Sequence, residues 1–436
     1  MWENLKYYRM ALGMNMLWNS YPVIFILRDG FHIGPGGSTF TILFWGLGLA
    51  LLIPLNIFQT IYFPNKVLFS CFISFWVLSL IYWQYYLAPN SYPERLRETL
   101  TYVIPLLFLF GAMYFPNDKV RIILVVMVFY SLLASTGLLY SLVRDPHWHF
   151  GERAAIKFNA NSNNSNPHAF ANNAVCCVLA ALILAARTNQ LLIKMFYYLA
   201  VIGSVGILIL TRTNTSLLSL GIMTFIYVVL NTKEVVLSLF KPRIAAIGFV
   251  LYSTVIFLLA QFQFASYALQ VYLSTLISRF GKVIYTVSGV QVDKQSSEID
   301  YSSVNRVLSY QYVRDVFLGE QPWPIVLFGE GYKSQFFDLP ALEALVNEGV
   351  LGFILFNSFF LTMIIVTVQQ LARPANDLSQ FMAYFSVIIL IMLVSGSRPI
   401  DLSMWLIYVF YIRFFGVYSS PALPTALQLP LARANK

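Results

Sequence analysis

The sequence predicts an all-α polytopic membrane protein, and three observations carry that prediction: its composition, the length of its apolar runs and the placement of its basic residues. Of 436 residues, 58% are hydrophobic and only 11% are charged, whereas a soluble domain is about 25% charged. The apolar residues gather into runs of some twenty, the length a helix needs to cross a hydrocarbon core of about 30 Å. Twelve such runs are predicted, forming one membrane domain over residues 1–436 with a single large outer loop at 264–345 between the ninth and tenth.

The first run, 8–27, is diluted by Asn15, Asn19 and Ser20. No small-residue cleavage site follows it, so it is expected to remain as a span. Runs at 38–57, 67–88, 98–115 and 121–143 come next, followed by an outer segment, 144–167, that holds an asparagine-rich tract, FNANSNNSNPHAFANN. After the run at 168–186, residues 192–231 are apolar over twice the length of one span. The chain must therefore fold back at Thr211–Thr215, giving spans 192–211 and 215–231 and setting Arg212 at the outer edge. The run at 244–263 leads into the large loop, and 346–369, 379–396 and 402–418 complete the set, with Arg398 in the short outer turn GSRPID.

Orientation follows from Lys and Arg in short connections. With the N-terminus inside, fourteen fall on cytoplasmic segments and eight in short outer loops. The net charge of +9 is then a property of the cytoplasmic face, and nothing in its distribution suggests a nucleic-acid groove. Cys71, Cys176 and Cys177 all fall in spans, which argues against disulfides and thiolate metal sites.

The large loop is patterned. LQVYLSTLISRFGKVIY spaces its apolar residues by three and four, as an amphipathic helix lying on a membrane would. Arg306, Tyr310 and Arg314 recur every four residues, which on an α-helix sets both cations on one face. Pro322 and Pro324 are expected to end that helix, and Gly329 and Gly331 to supply a turn with positive φ.

Basic residues on the outer side weaken insertion, so Arg153, Arg212, Arg306, Arg314 and Arg398 suggest a function: gripping a lipid-linked diphosphate. A guanidinium suits that task because its planar fork donates two parallel hydrogen bonds to phosphate oxygens. The competing reading is salt bridging to Glu152, Asp315 or Asp401. No Asp-x-Asp pair and no phosphate-binding glycine loop occurs, and His147 and His149 lack further ligands, so no metal or nucleotide cofactor is predicted. A general base is expected to be a carboxylate, with Asp338 and Glu330 the candidates.

These motifs resemble those of the O-antigen polymerase and ligase superfamily, bacterial inner-membrane enzymes that handle undecaprenyl-diphosphate-linked glycans on the periplasmic side. The resemblance covers roughly residues 150–355. It rests on Arg306 and Tyr310, the Gly329–Gly331 turn, Asp338 and the Gly349–Gly352 entry into the next span, with Arg153, Asn166 and Pro167 upstream and Arg212 in LTRTNTSLLSL. It implies a membrane glycosyltransferase (GT-C-like) fold and an inverting, metal-independent polymerisation of lipid-linked repeat units. In that scheme Asp338, Arg306 and Glu330 act in catalysis, Tyr310, Asn166 and His168 contact glycan, and a chain-length regulator is a partner. Related ligases typically carry His where this chain has Asp338, which favours a polymerase over a ligase. A lipid-linked oligosaccharide flippase is the alternative outside the enzymes, and an acyltransferase using His168 a further one.

Overall fold

A backbone in hydrocarbon must satisfy its hydrogen bonds within its own segment, and the apolar runs do so as helices. A computed structural model of the chain describes residues 2–35, 37–55, 60–86, 92–145, 148, 152–156, 166–232, 270, 274 and 301–417, and among these residues the fold is all-helical, with no strand.

The first half contributes α1 (Trp2–Trp18), α2 (Tyr21–Phe25, continued as a π-turn to Gly30), α3 (Ser38–Leu52), α4 (Lys66–Tyr85), α5 (Tyr92–Ala112) and α6 (Arg121–Arg144). Then come α7 (Pro167–Ala186), α8 (Leu191–Thr211) and α9 (Asn214–Leu230). Residues 301–339 hold α10 (Tyr301–Gln311), a π-helical stretch (Tyr312–Phe317) and α11 (Trp323–Phe328). The chain finishes with α12 (Pro340–Ala372), α13 (Asp377–Ser395) and α14 (Leu402–Phe414).

Among the described residues, five helices, α4, α6, α7, α8 and α12, are long and apolar enough to cross a membrane, and a sixth crossing arises if α1 and α2 count as one. That pair bends by 77°, so the first predicted span is a broken one. The break falls at Asn19 and Ser20, and Pro22 starts the second piece, where its missing N–H is not needed. α3, α9, α13 and α14 are shorter apolar helices. The predicted run at 244–263, the amphipathic stretch before residue 286 except for residues 270 and 274, the first half of the asparagine tract, His147 and His149 lie outside the described residues.

Connections gather at two ends of the bundle. At one, Arg187 pairs with Asp377 (3.1 Å), Arg121 donates to the Arg187 carbonyl, and Asn65 and Asn376 tie themselves to the chain after α14. Arg413, fully buried, donates to the carbonyls of Ala112 and Phe115. It thereby meets the negative end of α5, where the last carbonyls have no helical partner. At the other end lie residues 144, 145 and 152–156, with the Ala154 amide on the Leu210 carbonyl, the α8–α9 turn, 301–339 and 396–401, with Arg398 over Phe336.

The interior is aromatic. Trp18 stacks on Phe410 at 4.9 Å, and Trp405 packs edge-on to Phe72 and Tyr102. Its buried amides are partnered with one another: the Asn19 amide donates to the Asn173 side-chain oxygen, and the Asn173 amide donates to the Ser131 carbonyl, which offsets the cost of burying them in an apolar medium. Cys71, Cys176 and Cys177 are free thiols. A second, smaller core of Val313, Phe317, Val326, Phe337 and Val346 belongs to the 301–339 segment and packs it onto the start of α12.

Candidate functional site

The loop ahead of α12 is fixed by a close crossing of two backbones. Gly329 and Gly349 both have positive φ (83° and 69°), and a Cβ on either would overlap the other's stretch of main chain. Only glycine allows this approach. Gly349 interrupts α12, and the carbonyls released there accept the amides of Glu330 (Val346 O, 2.7 Å) and Gly331 (Asn347 O, 3.0 Å). The predicted glycine turn and the predicted helix entry are thus two halves of one contact.

Two buried side chains from the first turns of α12 hold residues 334–337 in place. Asn347 accepts from the Ser334 hydroxyl (2.8 Å) and the Gln335 amide (2.9 Å) and donates to the Gln335 carbonyl (3.0 Å), imitating a neighbouring strand. Glu343 accepts from the Phe337 amide at 3.0 Å and lies in the field of Arg398 and Lys333. Glu343 and Asn347 are one helical turn apart. Together they set the backbone on either side of Phe336 and just before Asp338.

The segment is also latched to α5. Lys333 makes two 2.8 Å bonds to the Glu98 carboxylate, and the Tyr332 hydroxyl donates to the same group at 2.6 Å. Burial first, then Tyr102 and Glu98, push the Tyr332 hydroxyl well above its ordinary value, so it remains a donor. The Tyr82 hydroxyl donates to the Phe328 carbonyl, adding a tie to α4.

A cavity of about 360 Å³ opens between α10 and this loop, lined by Asn305, Ser309 and Tyr312 on one side and Phe336 and Asp338 on the other, with Leu308 and Phe337 completing it. Tyr312 donates to Glu330 (2.7 Å); burial and then that carboxylate push the Tyr312 hydroxyl up to about 12. Glu330 is therefore occupied. Asp338, half-buried at the cavity wall, makes no hydrogen bond or ion pair with any described residue.

The predicted cations fall into two groups. Arg153 follows α6 in a stretch whose Ala154 amide bonds to the Leu210 carbonyl, and its charge is felt by His168, which lies 3.4 Å from the Thr215 hydroxyl. Arg212 caps α8 in the left-handed conformation (φ 50°). Asn166 precedes α7 without capping it. These residues share the outer ends of α7, α8 and α9.

The second group adjoins residues that line the cavity: Arg306 follows Asn305, and Arg398 meets Phe336. Arg306 is half-buried in α10. Arg398 lies over the Phe336 ring at 3.7 Å, not on Asp401, whose carboxylate instead caps α14 through Ser403. Its turn is anchored by the Trp405 indole on the Pro399 carbonyl (2.8 Å). The turn also reaches toward the first group, since Met392, just before it, contacts Asn172, which accepts from Ser216.

Arg314 departs from expectation. The helix widens to π at Tyr312, seen in the Leu318 amide bonding to the Val313 carbonyl five residues back, so the four-residue spacing no longer tracks one face. Arg314 is exposed and forked onto Asp315 (2.5 and 2.8 Å), which lowers the Asp315 pKa and raises that of Arg314. Tyr310 is 59% exposed and outside the cavity, where Tyr312 stands instead. Pro322, expected only to end a helix, caps the start of α11.

Sequence reasoning did not single out Asn305, Phe336, Glu343, Asn347 or the Glu98–Lys333 latch. The available signal was Glu343 and Asn347 at helical spacing, polar residues around the start of the apolar run 346–369, ahead of Gly349. Among the described residues, no cluster of His, Cys, Asp and Glu has the arrangement of a metal centre. Neither a protein-family model nor a curated protein sequence matches the chain.

Proposed function

We propose that this chain is a glycosyltransferase of the bacterial inner membrane that joins polyprenyl-diphosphate-linked oligosaccharide repeat units, with 301–339 and 396–401 on the periplasmic side and twelve spans in all. The observation that carries the reading is the relation of Asp338, Phe336 and Arg398. An unpartnered carboxylate lines a cavity, and a guanidinium covers a ring that lines the same cavity.

The transfer needs little more than positioning and charge stabilisation, because the bond to diphosphate is already activated. The acceptor hydroxyl oxygen attacks the anomeric carbon of the donor sugar. Its proton passes to Asp338, and the carbon–oxygen bond to phosphate breaks with its electron pair leaving on the diphosphate. Arg398 and Arg306 neutralise the leaving group near the cavity, and Arg153 and Arg212 extend that field along α7 and α8. Gathering of these cations at one end of the bundle supports an enzyme over a flippase, which needs cations through the membrane's depth.

The test is elongation by the purified full-length protein, supplied with lipid-linked repeat units and no nucleotide or added metal. Longer glycans on the lipid are the expected result. Failure to elongate in a protein that remains monodisperse removes the reading.

A further inference from the structure

The cavity beside Asp338 has a composition that specifies what fills it. Among the described residues, Glu98 is engaged by Lys333, Glu330 by Tyr312, Glu343 by the Phe337 amide, Glu348 by the Ser79 hydroxyl and Asp401 by Ser403. Asp338 is not, and the Asn305 side chain likewise makes no bond to a described residue. Ser309 gives its proton to the Asn305 carbonyl and keeps its lone pairs. Against these open groups stands Phe336, 57% exposed.

A hydrocarbon chain in this space would strip water from Asp338 and Asn305 and give nothing back. An anionic group inside the cavity would sit directly against the Asp338 carboxylate, and no residue of its lining is a cation. A sugar ring meets both demands, because its C–H face packs on an aromatic ring and its rim of hydroxyls both donates and accepts. The volume also falls in the range of about 300–1,000 Å³ typical of small-molecule pockets.

We propose that this cavity is the acceptor subsite and holds one uncharged sugar residue. Phe336 lies against the sugar's C–H face, Asn305 and Ser309 bind its hydroxyls, and Asp338 receives the hydroxyl that reacts. Phe336 is then the residue that determines acceptor specificity, held from behind by Arg398 and in register by Asn347 and Glu343. The inference rests on the polymerase reading for the identity of the reaction but not for the binding of glycan.

The test uses full-length protein in nanodiscs, lipid-linked repeat units as the fixed donor, and the free oligosaccharide released from them by mild acid as the varied acceptor. Phe336→Leu and Asn305→Ala should each raise the acceptor KM about tenfold or more with little change in that of the donor, and Phe336→Tyr should restore it. Saturation-transfer NMR on the free oligosaccharide should show contact to one sugar residue that disappears in Phe336→Leu. If the wild type elongates and both variants keep its acceptor KM, the subsite is overturned while the polymerase reading stands. If the wild type does not elongate but binds the oligosaccharide through Phe336, the subsite stands and the polymerase reading falls. Absence of Phe336-dependent binding and of elongation overturns both.

Discussion

Arg212 holds a backbone conformation that L residues other than Asn and Gly adopt at a cost of about 1–2 kcal/mol. An arginine kept there, at a helix end where glycine would relax the chain, points to use of its side chain. Arg212→Gly is expected to leave the melting temperature unchanged or raised while glycan elongation is lost, and a variant that keeps wild-type elongation would reduce Arg212 to a helix cap. Asp338→Asn preserves shape and removes basicity. It is expected to lower turnover by about 10² to 10⁴ with donor binding kept; a loss under about threefold would take Asp338 out of the chemistry. Asp338 was legible as a candidate from its place in the loop motif, just before the chain re-enters the membrane and close to the Gly329–Gly331 turn. Its neighbours were less so: Tyr310 was favoured over Tyr312 because spacing alone carries no sign of the π-turn between α10 and residue 318.

At the level of elements, the Gly329–Gly331 turn and the Gly349 entry were legible as glycines but not as partners, because the sequence separates them by twenty positions and the contact is between backbones. Gly349→Ala tests the crossing. Its Cβ would overlap the Leu327 carbonyl and sit at a φ of 69°, so a loss of more than about 2 kcal/mol is expected, the combined scale of overpacking and left-handed strain. Thermal unfolding of the variant in detergent, compared with Gly206→Ala, where an added Cβ meets nothing within 4 Å, measures it; equal stability would mean that the crossing can relax. The Glu343 and Asn347 clamp was hidden for a related reason. Apart from the Ser334 hydroxyl, these residues bind main-chain groups, which leave no mark on residue identity at positions 335 and 337.

For the whole molecule, apolar run length placed the helices well and their ends poorly. Ends are set by caps and breaks, as with Asp401 before α14 and the Asn19–Ser20 bend, and such local chemistry overrides a twenty-residue window. Sidedness is open to direct measurement. Reporter fusions after Glu320 and after Asp377 are expected on opposite sides of the membrane, periplasmic and cytoplasmic; the same side for both would remove the twelve-span layout and the outer site with it.

The Glu98 latch bears on how such a protein can diverge. Lys333 and Tyr332 share one carboxylate from α5, and Tyr82 of α4 holds the Phe328 carbonyl, so the loop is bonded to α4 and α5 at three points. A graft of 301–339 alone from a homologous chain leaves a partly buried carboxylate facing strangers. A graft that also carries 79–102 transfers the lock together with its key.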